Sequence, residues 1–331
     1  MLAGLTGKHI AKWADLGAAR RSAQIPPYRH SIKTCMYPQA ALALLNPRAG
    51  RAAAGGTQAL TQALGRIPLA ITDSSAEARE RLLALPPRQR VMVIGGDGTL
   101  QPLLGALQER DHELALLPMG SGNDLARALG LRRLKGPALI ELLQQAPATS
   151  MDLGELTVAD HEPQWFASSL AVGFDASVGQ RVQTVPRPLR GQLRYLYATL
   201  AELGRLQQKR IEITLDDEVL PPASYLLASC LNTPTYGAGM RAAPGALTDD
   251  GHLQWLGARG WGRFTAPLAL PLMLAGLHRG LPGIELRSFE RAHYLGAEPM
   301  PLLLDGEPAP SAAAFTVNVR KAALRVIRAT V

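Results

Sequence analysis

From Ala41 onward, short aliphatic runs alternate with segments whose apolar residues recur at helical spacing. The runs Ala41 to Leu45, Pro68 to Ile71, Val91 to Ile94 and Leu114 to Leu117 read as strands. Between them Thr57 to Leu64, Ser75 to Leu83 and Gly98 to Glu109 read as helices, the second led by Ser74 and Ser75 as N-cap residues. This alternation predicts a parallel sheet with crossover helices, in one α/β domain that ends near residue 150. After Met151 the pattern changes to separated strand-like runs: Trp165 to Val172, Ile211 to Leu215, Tyr225 to Cys230, His252 to Leu256 and Ile284 to Ser288. A largely antiparallel second domain is expected there. No internal repeat and no low-complexity segment interrupts either half.

Composition agrees with two domains and narrows the partners. The 331 residues suit two units of the usual ~100 to 200 residues each. With 47% hydrophobic and 19% charged residues the chain can bury sizeable cores, which excludes bulk disorder. Aromatics are only 5%, beside 32 glycines and 25 prolines, so the cores are aliphatic and recognition of nucleic-acid bases by stacking is disfavoured. No helix or stripe concentrates Lys and Arg with aromatics, and no nucleic-acid partner is expected. The net charge of +8 still asks for an anionic partner. Most of it sits in residues 1–37, where Lys8, Lys12, Arg20, Arg21, Arg29 and Lys33 face Asp15 alone. Leu2, Leu5, Ile10, Trp13 and Leu16 recur there at roughly helical spacing, so this tail reads as a basic amphipathic helix for anionic lipid, as a frayed tail, or as an extension ahead of a start at Met36.

Cys35 and Cys230 lie far apart and outside any C-x-x-C arrangement, which points to a reducing, cytoplasmic setting. The apolar stretch Phe264 to Leu277 carries Pro267 and Pro271 and falls short of the ~20 residues of a spanning helix. The seven histidines form no i, i+4 pair that would suggest zinc.

Candidate chemistry concentrates in two loops. Val91 to Ile94 runs into Gly95-Gly96-Asp97-Gly98-Thr99-Leu100, a buried strand, a glycine turn around one acid, then a helix. Glycines let main-chain N–H groups approach a ligand, and the helix start offers unpaired donors, so phosphate oxygens are natural guests. The alternative is a tight βα turn with Asp97 as a helix cap. Leu116-Leu117-Pro118-Met119-Gly120-Ser121-Gly122-Asn123-Asp124 repeats the layout, although Ser121, Asn123 and Asp124 also suit helix capping. Two such strand ends on one sheet edge can line a common crevice.

These motifs resemble the diacylglycerol kinase catalytic family, in particular its soluble bacterial lipid kinases. The resemblance rests on Gly95 to Thr99, on Pro118-x-Gly120-Ser121-x-Asn123-Asp124, and on Asn46-Pro47-x-x-Gly50. It continues in Pro244-Gly-Ala-Leu247-Thr-Asp249-Asp250-Gly251 and in Leu304-Asp305-Gly306-Glu307, so five ordered motifs span about residues 41–330. It implies a nucleotide-binding α/β domain (residues 38–150, with about 312–331 returning to it), a β-sandwich-like lipid-substrate domain (151–311), and an active site in the cleft between them. ATP contacts carry over to Gly95, Gly96, Asp97, Gly98, Thr99, Leu100 and Gln101, to Ser121, and to Thr72. The resemblance further implies a catalytic carboxylate in the Asp305-Gly306-Glu307 turn, with Glu307 as proton acceptor and Asp305 as its partner or an indirect metal-water ligand; the reverse assignment stays open, and so does a plain hairpin turn. A second, structural Mg²⁺ would take the Asp250 carboxylate and the carbonyls of Leu247 and His252, where the alternative is again a metal-free turn.

The expected activity is ATP- and Mg²⁺-dependent phosphorylation of a lipid hydroxyl, with transient contact with anionic membrane and a homodimer left open. The alternatives are an NAD kinase-like enzyme or a catalytically weak lipid- or nucleotide-binding regulator. Two departures from the family pattern stand out: Gln101-Pro102 where Asn-Glu is frequent, and Arg51 where lysine is frequent.

Overall fold

The structure is a computed structural model that describes residues 40–47, 57–185, 192–206, 208–237 and 239–329. The basic tail, Cys35, Gly50 and Arg51 lie outside the described residues. In chain order the first half runs β1 (Leu42–Leu45), α1 (Thr57–Leu64), β2 (Leu69–Ile71), α2 (Ser75–Ala84), β3 (Arg90–Gly95), α3 (Asp97–Leu100), α4 (Leu104–Glu109), β4 (Glu113–Pro118), α5 (Asp124–Ala128) and α6 (Pro137–Gln145). The second half runs β5 (Ala148–Val158), β6 (Gln164–Phe166), β7 (Ser169–Val172), α7 (Phe174–Thr184), α8 (Gln192–Leu203), β8 (Lys209–Leu215), β9 (Glu218–Val219), β10 (Ala223–Leu231), β11 (Leu253–Arg259), α9 (Ala266–Ala275), β12 (Ile284–Phe289), β13 (Arg291–Leu304) and β14 (Glu307–Ile327).

Strands β2, β1, β3 and β4 pair in parallel in that order, and the near-continuous apolar runs of β3 and β4 are buried on both faces. Ser74 caps α2 by accepting from the Glu77 N–H at 3.1 Å. The helix read over Gly98 to Glu109 is interrupted: Gln101–Leu103 tightens into a 3₁₀ turn, because Pro102 brings no N–H to an α-helical ladder.

The strand read over Trp165 to Val172 is two strands, since the amides of Ala167, Ser168 and Ser169 turn away from the ladder to another partner. The second half is antiparallel, and its core gathers Phe166, Trp255, Phe289, Tyr294 and Phe315. The few aromatics are therefore concentrated, with Tyr294 stacked on Phe315 at 4.5 Å and Tyr225 edge-on to Trp255 at 5.8 Å.

Two paired strands, β5 and β14, join the halves. The long β14 pairs antiparallel with β13 and β5, then runs parallel to β4 through Arg325↔Glu113 and Val326↔Leu114. Its register shifts between Arg320 and Leu324, where Ala322 takes φ 52° and its N–H donates to the buried Asp152 carboxylate at 2.7 Å. The junction also holds a buried ion cluster. The Arg90 guanidinium, 1% exposed, pairs with Glu113 at 2.8 Å and donates to the Gln144 carbonyl at 2.5 Å, while the other Glu113 oxygen meets Arg325 at 2.7 Å. Removing one buried partner strands the other, so Glu113→Gln is expected to lower unfolding free energy by about 3 to 5 kcal/mol in urea titrations. A loss below 1 kcal/mol would show that Arg90 finds other compensation.

Candidate active site

Gly95 and Pro118 end β3 and β4 in register, so both glycine loops leave the sheet at one edge. Their main chains touch. A Cβ placed on Gly96 would lie 2.8 Å from the Gly120 Cα, and one on Gly120 would lie 2.5 Å from the Gly96 Cα, which only glycine at both positions avoids. Asn123 stands at the start of α5 in the left-handed region, but its side chain serves its own loop: Oδ1 accepts from Gly120 N–H at 3.0 Å and Nδ2 donates to the Gly120 carbonyl at 2.7 Å. The first turn of α5 is capped from the neighbouring loop instead. Asp97 accepts from the Asp124 N–H at 3.0 Å and the Leu125 N–H at 3.2 Å, and so locks the two loops together. Burial, and then the charge of Asp124, push the Asp97 carboxyl up.

The facing wall is the β13–β14 hairpin. Leu304 and Glu307 flank a two-residue turn in which Asp305 (φ 50°) and Gly306 (φ 93°) both take positive φ, the geometry that matches the strand twist and selects Asp-Gly. The Asp305 carboxylate points inward and accepts from Ala167 N–H at 2.7 Å and from the Ser168 and Ser169 N–H groups at 2.8 Å each. These are the amides that divide β6 from β7. Burial pushes the Asp305 carboxyl up to about 7 against the pull of its three donors, and the Asp97 charge adds to the rise. Glu307 is held differently: half-buried, with its carboxyl raised by burial, it sits directly over the first loop, where a Cβ on Gly98 would collide with its Oε1.

Between these walls lies a cleft of ≈ 430 Å³. Asn46, Gly96, Asp97, Gly98, Thr99, Gly120 and Ser121 line it from the first half, and Ser168, Ser169, Asp175, Tyr236, Leu303, Asp305 and Glu307 from the second. Gly96 to Thr99, Ser121, Asp305 and Glu307 are thus brought together. Four other residues read as nucleotide contacts stand behind the wall. Gly95 makes room for the Thr99 side chain, Leu100 is core, and Gln101 donates to the Trp165 carbonyl at 3.1 Å across the halves. Thr72 is buried beside a separate cavity of ≈ 30 Å³ that shares Asn46, Gly98 and Thr99 with the cleft.

Sequence reasoning missed Asp175, which opens α7 in the cleft wall. It accepts from the Ser229 hydroxyl at 2.6 Å, the Tyr236 hydroxyl at 3.1 Å and the Ala176 N–H at 2.9 Å. Desolvation raises its carboxyl to about 6 against these donors. The signal was present: Gly173 (φ 96°) ends a strand ahead of an acid that starts a helix, the same layout as the two glycine loops.

Leu247, Asp250 and His252 lie apart from the cleft, on the connection between β10 and β11. Asp250 accepts from the His252 N–H at 3.0 Å, and Asp152 accepts from the Gly251 N–H at 2.7 Å, which ties this loop to β5. Among the described residues no three His, Cys, Asp or Glu side chains converge to hold a metal. A cation here would rest on one exposed carboxylate and main-chain carbonyls, an all-oxygen set whose chemistry fits Mg²⁺.

Two family models match the chain: the diacylglycerol kinase catalytic domain over residues 40–156, and the YegS C-terminal NAD kinase beta sandwich-like domain over residues 168–328. A diacylglycerol kinase of Mycobacterium tuberculosis is 31% identical over 260 residues, covering 76% of this chain and 83% of that protein. A diacylglycerol kinase structure from Bacillus anthracis superposes with TM-score 0.62 at 17% identity, covering 88% of this chain and 97% of its own. A further chain from that organism reaches TM-score 0.73 at 18% identity, covering 92% of this chain and 99% of its own, and these likenesses show the shared two-part fold. The chain belongs to the diacylglycerol kinase family of lipid kinases, and is a phosphotransferase of that class.

The raised Asp175 carboxyl gives a pH signature. A carboxyl whose pKa rises from ~3.9 unfolded to about 6 in the native state favours folding below the lower value, and that contribution is lost as pH climbs through the higher. Between pH 4.5 and 7.5 the wild type is expected to lose about 1 to 2 kcal/mol that Asp175→Asn does not, the upper figure being the full linkage and the lower one discounted for its place in the cleft wall. Parallel urea midpoints for the two proteins would contradict this.

Proposed function

We propose that this enzyme transfers the γ-phosphoryl group of ATP, with Mg²⁺, to the hydroxyl of a diacylglycerol-like lipid. The observation that carries the reading is the position of Glu307 over Gly98, a carboxylate facing a main-chain cradle across a narrow cleft. In this reading Gly96, Gly98, Thr99 and Ser121 hold the phosphates, chiefly through N–H groups that approach closely because no side chain intervenes. The acceptor oxygen bonds to the γ-phosphorus as the bond to the bridging oxygen breaks, ADP leaves with that electron pair, and the hydroxyl proton passes to Glu307. Asp305 is a positioning residue that fixes the turn carrying Glu307. Asp175, backed by Ser229 and Tyr236, meets the polar part of the acceptor.

Mg²⁺ bound with the nucleotide supplies neutralisation of phosphate charge. Asp250 with the carbonyls of Leu247 and His252 would hold a second, structural ion. The name of the Mycobacterium tuberculosis relative supports diacylglycerol as the first acceptor to try. Peripheral contact with anionic membrane belongs to the same reading, since the acceptor resides in a bilayer.

The test is transfer of labelled γ-phosphate to diacylglycerol, monoacylglycerol, sphingosine, ceramide and undecaprenol. Glu307→Ala is expected to lower kcat by about 10²- to 10⁴-fold with an unchanged circular dichroism spectrum. In the wild type kcat/KM should fall on the acid side with a pKa above that of ordinary glutamate, because burial raises the Glu307 carboxyl. No transfer to any of the five lipids would refute the reading, and transfer to NAD⁺ would replace it with the NAD kinase alternative.

A further inference from the structure

Helix α9 is apolar on every side, yet it lies on the surface. Ala269 and Met273 turn inward, while Phe264 just ahead of the helix is 86% exposed, Leu268 is 69% exposed and Leu277 just after it is 68% exposed. Pro267, Pro271 and Leu274 fall on the same outward stripe, at spacings of three and four residues. An all-apolar helix ordinarily belongs in a core, and this one leaves half of itself without cover. Its end is nonetheless tightly built. Gly276 (φ 75°) donates to the Met273 carbonyl at 3.1 Å and Leu277 N–H donates to the Leu272 carbonyl at 2.7 Å, so Leu277 is held outward by a formed cap.

We propose that the stripe from Phe264 to Leu277 is the face by which this enzyme seats itself on an anionic bilayer, a claim that rests on the lipid-kinase reading above. Charge selects this occupant. From Gly251 to Ile284 the chain holds no Asp or Glu, while exposed Arg263 and Arg279 bracket the apolar stripe. No carboxylate among the described residues pairs with either, whereas nearby Arg259 is matched to Glu285 at 2.7 Å. Apolar side chains at acyl depth with arginines at headgroup level suit an anionic interface. A second copy docking through the same stripe would set arginine against arginine with no acid to relieve them.

Position agrees with charge. The buried side of α9 shares one apolar cluster with Tyr236, whose hydroxyl bonds Asp175 in the cleft wall, so the stripe lies one packing layer from the wall that carries Asp175.

The experiment is cosedimentation of the full chain with phosphatidylcholine vesicles, with and without phosphatidylglycerol, beside phosphate transfer to a short-chain diacylglycerol dispersed in detergent. The double variant Phe264→Glu/Leu268→Glu is expected to lose roughly tenfold or more in vesicle binding, and to transfer phosphate to the dispersed acceptor within about twofold of wild type. Arg263→Glu/Arg279→Glu should abolish the preference for phosphatidylglycerol, which salt should also weaken in the wild type. Val219→Glu, on an exposed hairpin of the second half, should change neither readout. Undiminished vesicle binding in both double variants would overturn the proposal, and so would a wild-type dimer that the first variant splits while still binding vesicles. Failure of the wild type to phosphorylate any lipid, dispersed or in vesicles, would overturn the kinase reading instead, because sedimentation is read without catalysis.

Discussion

The pairing of β14 with β4 holds the two halves in register with each other. β14 leaves the hairpin that carries Glu307, crosses the antiparallel half, bends at Ala322 and closes the outer side of the parallel sheet. The distance between Glu307 and the glycine loops is therefore set by β14 and its antiparallel partner β5, both continuous across the junction, rather than by a flexible linker. Asp152 secures the bend, since its two oxygens accept from Ala322 and Gly251, groups that the ladder leaves over. Arg90, Glu113 and Arg325 secure the end. A joint built this way resists hinge motion between the carboxylate and the cradle, which favours precise placement over a wide-opening cleft.

The cleft holds its acids at an energetic cost. Asp97, Asp175, Asp305 and Glu307 all have carboxyls raised above the ordinary range, each chiefly by burial, with the charge of Asp124 adding to the rise at Asp97 and that of Asp97 to the rise at Asp305. Main-chain amides offset part of this at Asp97 and Asp305, and hydroxyls do so at Asp175. Glu307 is distinct because its carboxyl faces a glycine instead of a donor in the wall, the feature on which its proposed role as proton acceptor draws. Desolvated acids of this kind are common where chemistry is done.

Much of the fold was legible because its constraints are local. The apolar runs of β3 and β4 and the turn chemistry of Gly95 to Thr99 and Asp305-Gly306 depend on residues adjacent in sequence. The loops' mutual lock was not legible, because Asp97 caps a helix 27 residues further on, and a capping acid reads first as the cap of its own helix. The break between β6 and β7 was hidden for the same reason: it answers to Asp305, far along the chain. Gln101 shows a third case, where a residue in a recognisable motif spends its side chain on the opposite half and leaves the cleft. Asp175 was missed because one glycine and one acid make too short a pattern to stand out.

The closing of the parallel sheet by β14 also fixes an order in time. Strand β4 pairs with Arg325 and Val326, so during synthesis that part of its outer edge stays bare until those distant residues have been made. A nascent first half can build its helices and its β2–β1–β3–β4 ladder, but it presents an apolar edge strand for as long as the ribosome takes to deliver some 200 further residues, about 10 to 40 seconds at ordinary elongation rates. A stalled or truncated product would carry that edge exposed and would be a substrate for chaperones and proteases rather than a stable fragment.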